Sequence, residues 1–172
     1  MYLEEASAAD SIAVEHVNIG KAANRGAEFL RVNPMGEVPA LVLPDGTCLT
    51  ESMAICKYLD DVQTGGLGSD LVGKTAADRA ITDAWLGRVD GKYLMPLIQA
   101  FRSGPMFKFF ESRIPGYVHA DIAKPMGAMA QTGLGWLDGT FSDGRPFLGG
   151  ERFTIADIRR EPSGIRTCAA SP

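Results

Sequence analysis

Residues 33–59 read NPMGEVPALVLPDGTCLTESMAICKYL, and the fold is decided here. Val38–Leu43 is an apolar, strand-like run. Pro44-Asp45-Gly46 then supplies a turn: proline presets φ, aspartate bonds the local backbone, and glycine accepts φ > 0. Thr47–Thr50 is the return strand. Ser52 stands where a helix N-cap belongs, its hydroxyl able to accept from an early backbone N–H. Ala54, Ile55, Tyr58 and Leu59 follow at helical spacing. The stretch therefore predicts a loop, a hairpin and a capped helix.

Two flanking pairs add chemistry to this corner. A proline entering a strand cannot donate to the ladder, so Pro39 belongs at a strand start or edge. If the Val38-Pro39 bond is cis, Val38 turns its own N–H and C=O outward, free to pair with an extended peptide. At the far end, the Ser52 hydroxyl and the first helical N–H groups offer a place for a carboxylate. Together they would hold a small peptide that carries a free α-carboxylate.

The ordered pattern NPxGxVPxL, a D-G turn and then LTESxAIxxYL resembles the glutathione transferases, in the second half of their thioredoxin-like domain. The resemblance implies that Val38 pairs through its main chain with the cysteinyl backbone of glutathione. It implies that Pro39 is a cis-proline and that Glu51 and Ser52 bind the γ-glutamyl end. Glu37 departs from the pattern, because many relatives place Lys or Gln there, and an acid would oppose an anionic tripeptide.

Outward from this stretch, Ser11–Ile19 alternates Ile12, Val14 and His16 against Ala13, Glu15 and Val17, as a half-buried strand does. Met1–Ala9 is helix-prone, and Gly20–Val32 predicts a short helix ending before Asn33-Pro34. The family domain opens one element earlier, with a strand and a loop into its first helix. On this reading that strand is missing and Met1 falls inside the first helix. The family's thiol-activating Tyr, Ser or Cys follows that strand, so no catalytic residue is assigned. Tyr2 and Ser7, the nearest hydroxyls, would lie along the helix rather than at its head. An unperturbed thiol has a pKa of about 8.5 and is mostly protonated at neutral pH, so the missing group matters.

Thr64–Gly73 (TGGLGSDLVG) reads as a glycine-rich linker. Thr75 and Asp78 then form a capping-box pattern that opens a helix with the stripe Ile81, Trp85, Val89, Leu94, Leu97 and Phe101. Pro96 is expected to kink or end it. The resemblance places this helix beside the electrophile pocket, which makes Tyr93 and Arg88 substrate-pocket candidates against the simpler roles of packing and surface charge. Phe107, Phe109 and Phe110 suggest a helical fragment. Ile122, Met126, Met129, Leu137 and Phe141 follow helical steps despite Gly127, Gly133, Gly135 and Gly139, and a methionine pair at such spacing reads as core filler.

Residues 145–158 (RPFLGGERFTIADI) carry a second capping box, Thr154 with Asp157, and a hydrophobic staple, Phe153 with Ile158. The family uses the same device in its second domain, and the role is structural. Beyond Ile158 the pattern stops at RREPSGIRTCAASP, which reads as a non-family, disordered tail.

The expected architecture is an α/β thioredoxin-like N-terminal domain lacking its first strand (1–63), a linker (64–74), a partial all-α C-terminal domain (75–158) and the tail (159–172). With 172 residues, a formal charge of −4 and neutral hydropathy, the chain reads as a soluble cytoplasmic protein that binds neither nucleic acid nor membrane. There is no basic leader and no apolar run long enough to span a bilayer. Cys48, Cys56 and Cys168 fit neither a disulfide framework nor a zinc site. His16 and His119 match no metal spacing and read as structural. The implied function is conjugation of glutathione, as co-substrate, to electrophilic small molecules by a detoxifying homodimer without a metal. Two alternatives stand beside it: a non-catalytic binding or dimerisation module on the same fold, and a truncated gene product.

Overall fold

The computed structural model describes residues 12–114 and 116–160. The expected first helix with Tyr2 and Ser7, Cys168, and residues 161–172 of the tail lie outside them. The chain divides into two compact units, residues 1–72 and 73–172.

In the first unit, a 3₁₀ turn (Ala23–Arg25) leads into helix α1 (Ala27–Val32). Strands β1 (Leu41–Val42) and β2 (Cys48–Leu49) pair antiparallel with Leu41 opposite Leu49 and Val42 opposite Cys48. The turn between them is built as its residues require: Gly46 takes φ +86°, and the Asp45 carboxylate accepts from the Thr47 N–H at 2.8 Å. The strands are shorter than expected, because Pro39 has no N–H to offer a ladder.

Residues 12–18 form no strand, contrary to their alternating pattern. Val14 is 60% exposed and Ile19 44%, so the alternate side chains cover no apolar face. An alternating run becomes a strand only beside a partner, and among the described residues none pairs with it.

Helix α2 (Ser52–Thr64) buries Ile55 and Leu59. The expectation of Ser52 as its N-cap is corrected by one residue: Glu51 is the N-cap and Ser52 the first helical residue. The segment after α2 reads as a linker but is pinned. Buried Asp60 accepts from the Ser69 N–H at 2.9 Å and from the Ser69 hydroxyl, and Thr64 Oγ1 accepts from the Gly68 N–H at 2.9 Å.

The second unit is helical. Helix α3 (Ala76–Val89) opens with the expected box: Thr75 Oγ1 accepts from the Asp78 N–H at 3.1 Å and Asp78 Oδ2 from the Thr75 N–H at 3.1 Å. A π-helical turn (Asp90–Leu94) joins it to α4 (Met95–Ser103). Pro96 therefore sits in the first turn of α4, after a wider turn, instead of ending the helix. It still cannot donate to the Lys92 carbonyl. Of the expected stripe Val89 and Leu94 are buried, together with Thr82, Leu86 and Tyr93, whereas Ile81 and Phe101 are about half exposed.

Short helix α5 (Phe107–Glu111) precedes α6 (Ala123–Thr140), which buries Ala130, Gly133 and Leu137. Met129 is 49% exposed, so it is not core filler. Helix α7 (Ile155–Arg160) extends two residues into the expected disordered tail. Arg159 is held there, its Nε 2.7 Å from Asp90 Oδ1. Phe153 meets Phe147 edge to face at 5.4 Å.

Three aspartates are stabilised as anions. Arg145 side-chain and backbone donors lower Asp143 to about 2. The Thr75 side chain lowers Asp78, and the Thr47 backbone N–H lowers Asp45. A depressed carboxylate adds stability that is full above its unfolded value and lost as pH falls through the folded one. The melting temperature is thus expected to be insensitive to these groups above about pH 5 and to fall as the pH passes through 3.8 toward about 2. Thermal melts across this range, with Asp143→Asn as the comparison, check the contribution.

Candidate functional site

The peptide bond between Val38 and Pro39 is cis. Val38 is 38% exposed, and among the described residues neither its N–H nor its C=O makes a hydrogen bond. Val38 lies in a bend three residues before β1, with both backbone polar groups unused and so free to pair with an added peptide strand.

The hairpin brings the second pair to the same end. The register places Leu41 opposite Leu49. The ladder stops there: Val38-Pro39 precedes this end of the hairpin in sequence and Glu51-Ser52 follows it. Glu51 adopts φ 66°, ψ 113°, a left-handed setting unfavourable to a residue with a side chain. Its carbonyl accepts from the Ile55 N–H at 3.0 Å, the first bond of α2. No side chain caps this helix start. The exposed Glu51 and the unbonded hydroxyl of Ser52 thus stand at the start of a helix whose leading N–H groups no side chain caps, where the helix dipole favours a carboxylate. A free amino group would pair with Glu51 and a free carboxylate with Ser52 and the helix start, a match to an α-amino acid end.

Tyr93 and Arg88 are not alike in placement. Tyr93 is 8% exposed, on the buried stripe of the helical unit. Arg88 is exposed, with its guanidinium 4.8 Å from the Trp85 ring centre. Trp85 stacks on Trp136 at 6.1 Å, and Lys92 covers Trp136 at 5.3 Å. An open apolar hollow in the same unit includes Ser103, Met106, Phe107 and Phe109, and none of the candidate residues. His16 and His119 are both exposed. No helix among the described residues is long and apolar enough to cross a membrane.

The sequence reading missed the side chains behind the site. Asn24 and Asn33 are buried, and both bond the turn that leads into Val38. The adjoining Asn-Pro and Gly are turn signals, but no sequence pattern shows which distant carbonyl an asparagine holds.

A hairpin entered by a cis-proline and followed by a helix, with an all-helical unit after it, is the architecture of a thioredoxin-like domain with a helical C-terminal domain. The glutathione S-transferase N-terminal domain model matches residues 1–62. The crystal structure of Gtt2 from Saccharomyces cerevisiae superposes with a TM-score of 0.77 at 26% identity, over 92% of this chain and 74% of that one. Glutathione S-transferase F11 of Arabidopsis thaliana is 30% identical over 158 residues, 89% of this chain and 68% of the relative. The chain belongs to the glutathione S-transferase family. Elongation factor 1-gamma of Rattus norvegicus is also similar, at 33% identity over 145 residues, covering 83% of this chain and 29% of the factor. Where the match to curated transferases runs along most of this chain, it spans 64% and 68% of their lengths.

Proposed function

We propose that this chain binds glutathione at the hairpin end and presents its thiol to an electrophile. The observation that carries the reading is Val38, with a free N–H and C=O beside a cis-proline. Val38 pairs with the cysteinyl backbone in an extended, two-bond contact. Pro39 leaves that edge open. Glu51 takes the γ-glutamyl ammonium, and Ser52 with the helix start takes the α-carboxylate.

In conjugation, the glutathione thiolate attacks the electrophilic carbon, an S–C bond forms, and a leaving group departs with the electron pair of the broken bond. These four residues supply positioning, which lowers the entropic part of the barrier. None of them deprotonates the thiol. Of the two substrate-pocket candidates, Arg88 is the accessible one, while Tyr93 supports the helix from within. No metal takes part, and the working unit is a homodimer in the cytoplasm.

Calorimetric titration with glutathione tests the reading. Ser52→Ala removes one hydrogen bond to a charged group and is expected to weaken binding about tenfold, with the melting temperature unchanged. Equal affinity for the two proteins would remove Ser52 from the site. A second reading, a glutathione-transferase-like module without turnover, is supported by the similarity to elongation factor 1-gamma. Glutathione-dependent conjugation of a generic aryl halide separates the two, since only the first yields a thioether product.

A further inference from the structure

Three successive carbonyls before Val38 are each held by a side chain. Arg25 Nη1 donates to the Met35 carbonyl at 3.1 Å, Asn24 Nδ2 to that of Gly36 at 2.7 Å, and Asn33 Nδ2 to that of Glu37 at 2.7 Å. Asn24 is 9% exposed and Asn33 1%. The orientation of Asn33 is set twice over, because its Oδ1 accepts from the Met35 N–H at 3.1 Å. The Asn33 carbonyl accepts from the Gly36 N–H at 2.9 Å, so the turn closes on itself. Gly36 takes φ +63°, and a Cβ there would lie 2.9 Å from both Arg25 Nη1 and the Asn24 carbonyl oxygen.

The consequence for Val38 follows from peptide geometry. The Glu37 C=O and the Val38 N–H belong to one planar trans unit, and they point in opposite directions. With Asn33 drawing the Glu37 oxygen inward, the Val38 N–H must point outward. Asn24 and Arg25 fix the two preceding peptide planes in the same way, so that the turn cannot rotate and swing Val38 aside. The first backbone groups after the clamp with no partner are those that the site needs.

We propose that Asn33, backed by Asn24 and Arg25, is a positioning residue for glutathione: it touches no ligand and aims the Val38 N–H at the cysteinyl backbone. This role rests on the glutathione reading. Pre-aimed donors spare the ordering cost that a mobile turn would charge against binding.

The test uses the full chain and Asn33→Asp, which keeps the shape and the acceptor but loses the donor. Glutathione affinity is measured by calorimetry, and the backbone amides of Val38 and Ser52 are followed by heteronuclear NMR. The expected result is an affinity loss of about tenfold or more, on the scale of a buried polar group left without its partner. It should come with a shifted Val38 amide in the ligand-free protein and an unmoved Ser52 amide. A purely structural role would disturb both amides together. If N33D fails to fold, exposed Arg25→Ala serves instead, with an expected loss of about two- to fivefold and the same selective shift at Val38. Wild-type binding matched by a folded N33D with an unmoved Val38 amide would overturn the clamp alone. A wild-type chain that does not bind glutathione would overturn the glutathione reading, and this role with it.

Discussion

Gly133→Ala is expected to destabilise the helical unit by about 3 kcal/mol or more, at the upper end of the overpacking range. A Cβ at residue 133 would overlap the Lys92 carbonyl oxygen and lie 2.8 Å from the Lys92 carbonyl carbon and 3.0 Å from Tyr93 Cα. These are backbone atoms of the π turn, which cannot rotate away as a side chain could. Helix propensity acts in the opposite sense, since alanine in place of glycine gains up to ~1 kcal/mol. The collision wins. Gly135, in the same helix, shows the propensity alone, because a Cβ there meets nothing within 4 Å. Gly135→Ala is expected to raise stability by about 0.5–1 kcal/mol. Urea unfolding of the two variants beside wild type should move their midpoints in opposite directions. Equal shifts of the same sign would mean that α6 does not approach the π turn at Gly133.

Asp157→Ala is the second large effect, expected at about 3–5 kcal/mol from donors left unsatisfied in the interior. Asp157 is 2% exposed. Its carboxylate accepts from the Leu148 N–H at 2.9 Å, the Thr154 N–H at 3.0 Å and the Thr154 hydroxyl at 3.1 Å. Removal strands two backbone donors in a region where Leu148 and Ile155 are 0% and 1% exposed. Loss of an N-terminal helix cap alone would cost about 1 kcal/mol, so most of the expected effect comes from the long-range bond to Leu148. Asp157→Asn retains an acceptor and should lose roughly half as much on the same reasoning. Denaturant midpoints for D157A and D157N check both the size and the order. If the two variants unfold alike, the stabilisation comes from charge rather than from the acceptors.

These features differ in how far the sequence reveals them. Thr75 with Asp78, Thr154 with Asp157 and the turn at Asp45-Gly46 are legible because each partner lies within three residues, and local geometry alone requires those residue types. Pro39 and Ser52 were legible for the same reason, with an error of one residue at the helix start. There the backbone strain falls on Glu51, which no cap preference would select. The alternation at 12–18 misleads because a strand depends on a neighbour that the pattern does not contain. Gly133 reads as a helix weakener, yet it permits a close approach across two segments about forty residues apart in sequence. Asn24 and Asn33 are ordinary loop residues until the carbonyls they grip are seen. Arg159 reads as the start of an unstructured tail, and its partner Asp90 lies in a turn that periodicity does not predict. Pairings of this kind depend on three-dimensional proximity, which no local pattern contains.

On the proposed reading, glutathione lies along Val38 and reaches the start of α2. Mapping amide perturbations during a glutathione titration of the full chain tests it most directly. Saturable shifts at Val38, Ser52 and Met53, with the helical unit's Trp85 and Trp136 side-chain signals unmoved by the tripeptide alone, are the predicted result. No perturbation at Val38 and Ser52 at millimolar glutathione, or saturation confined to other residues, would contradict it.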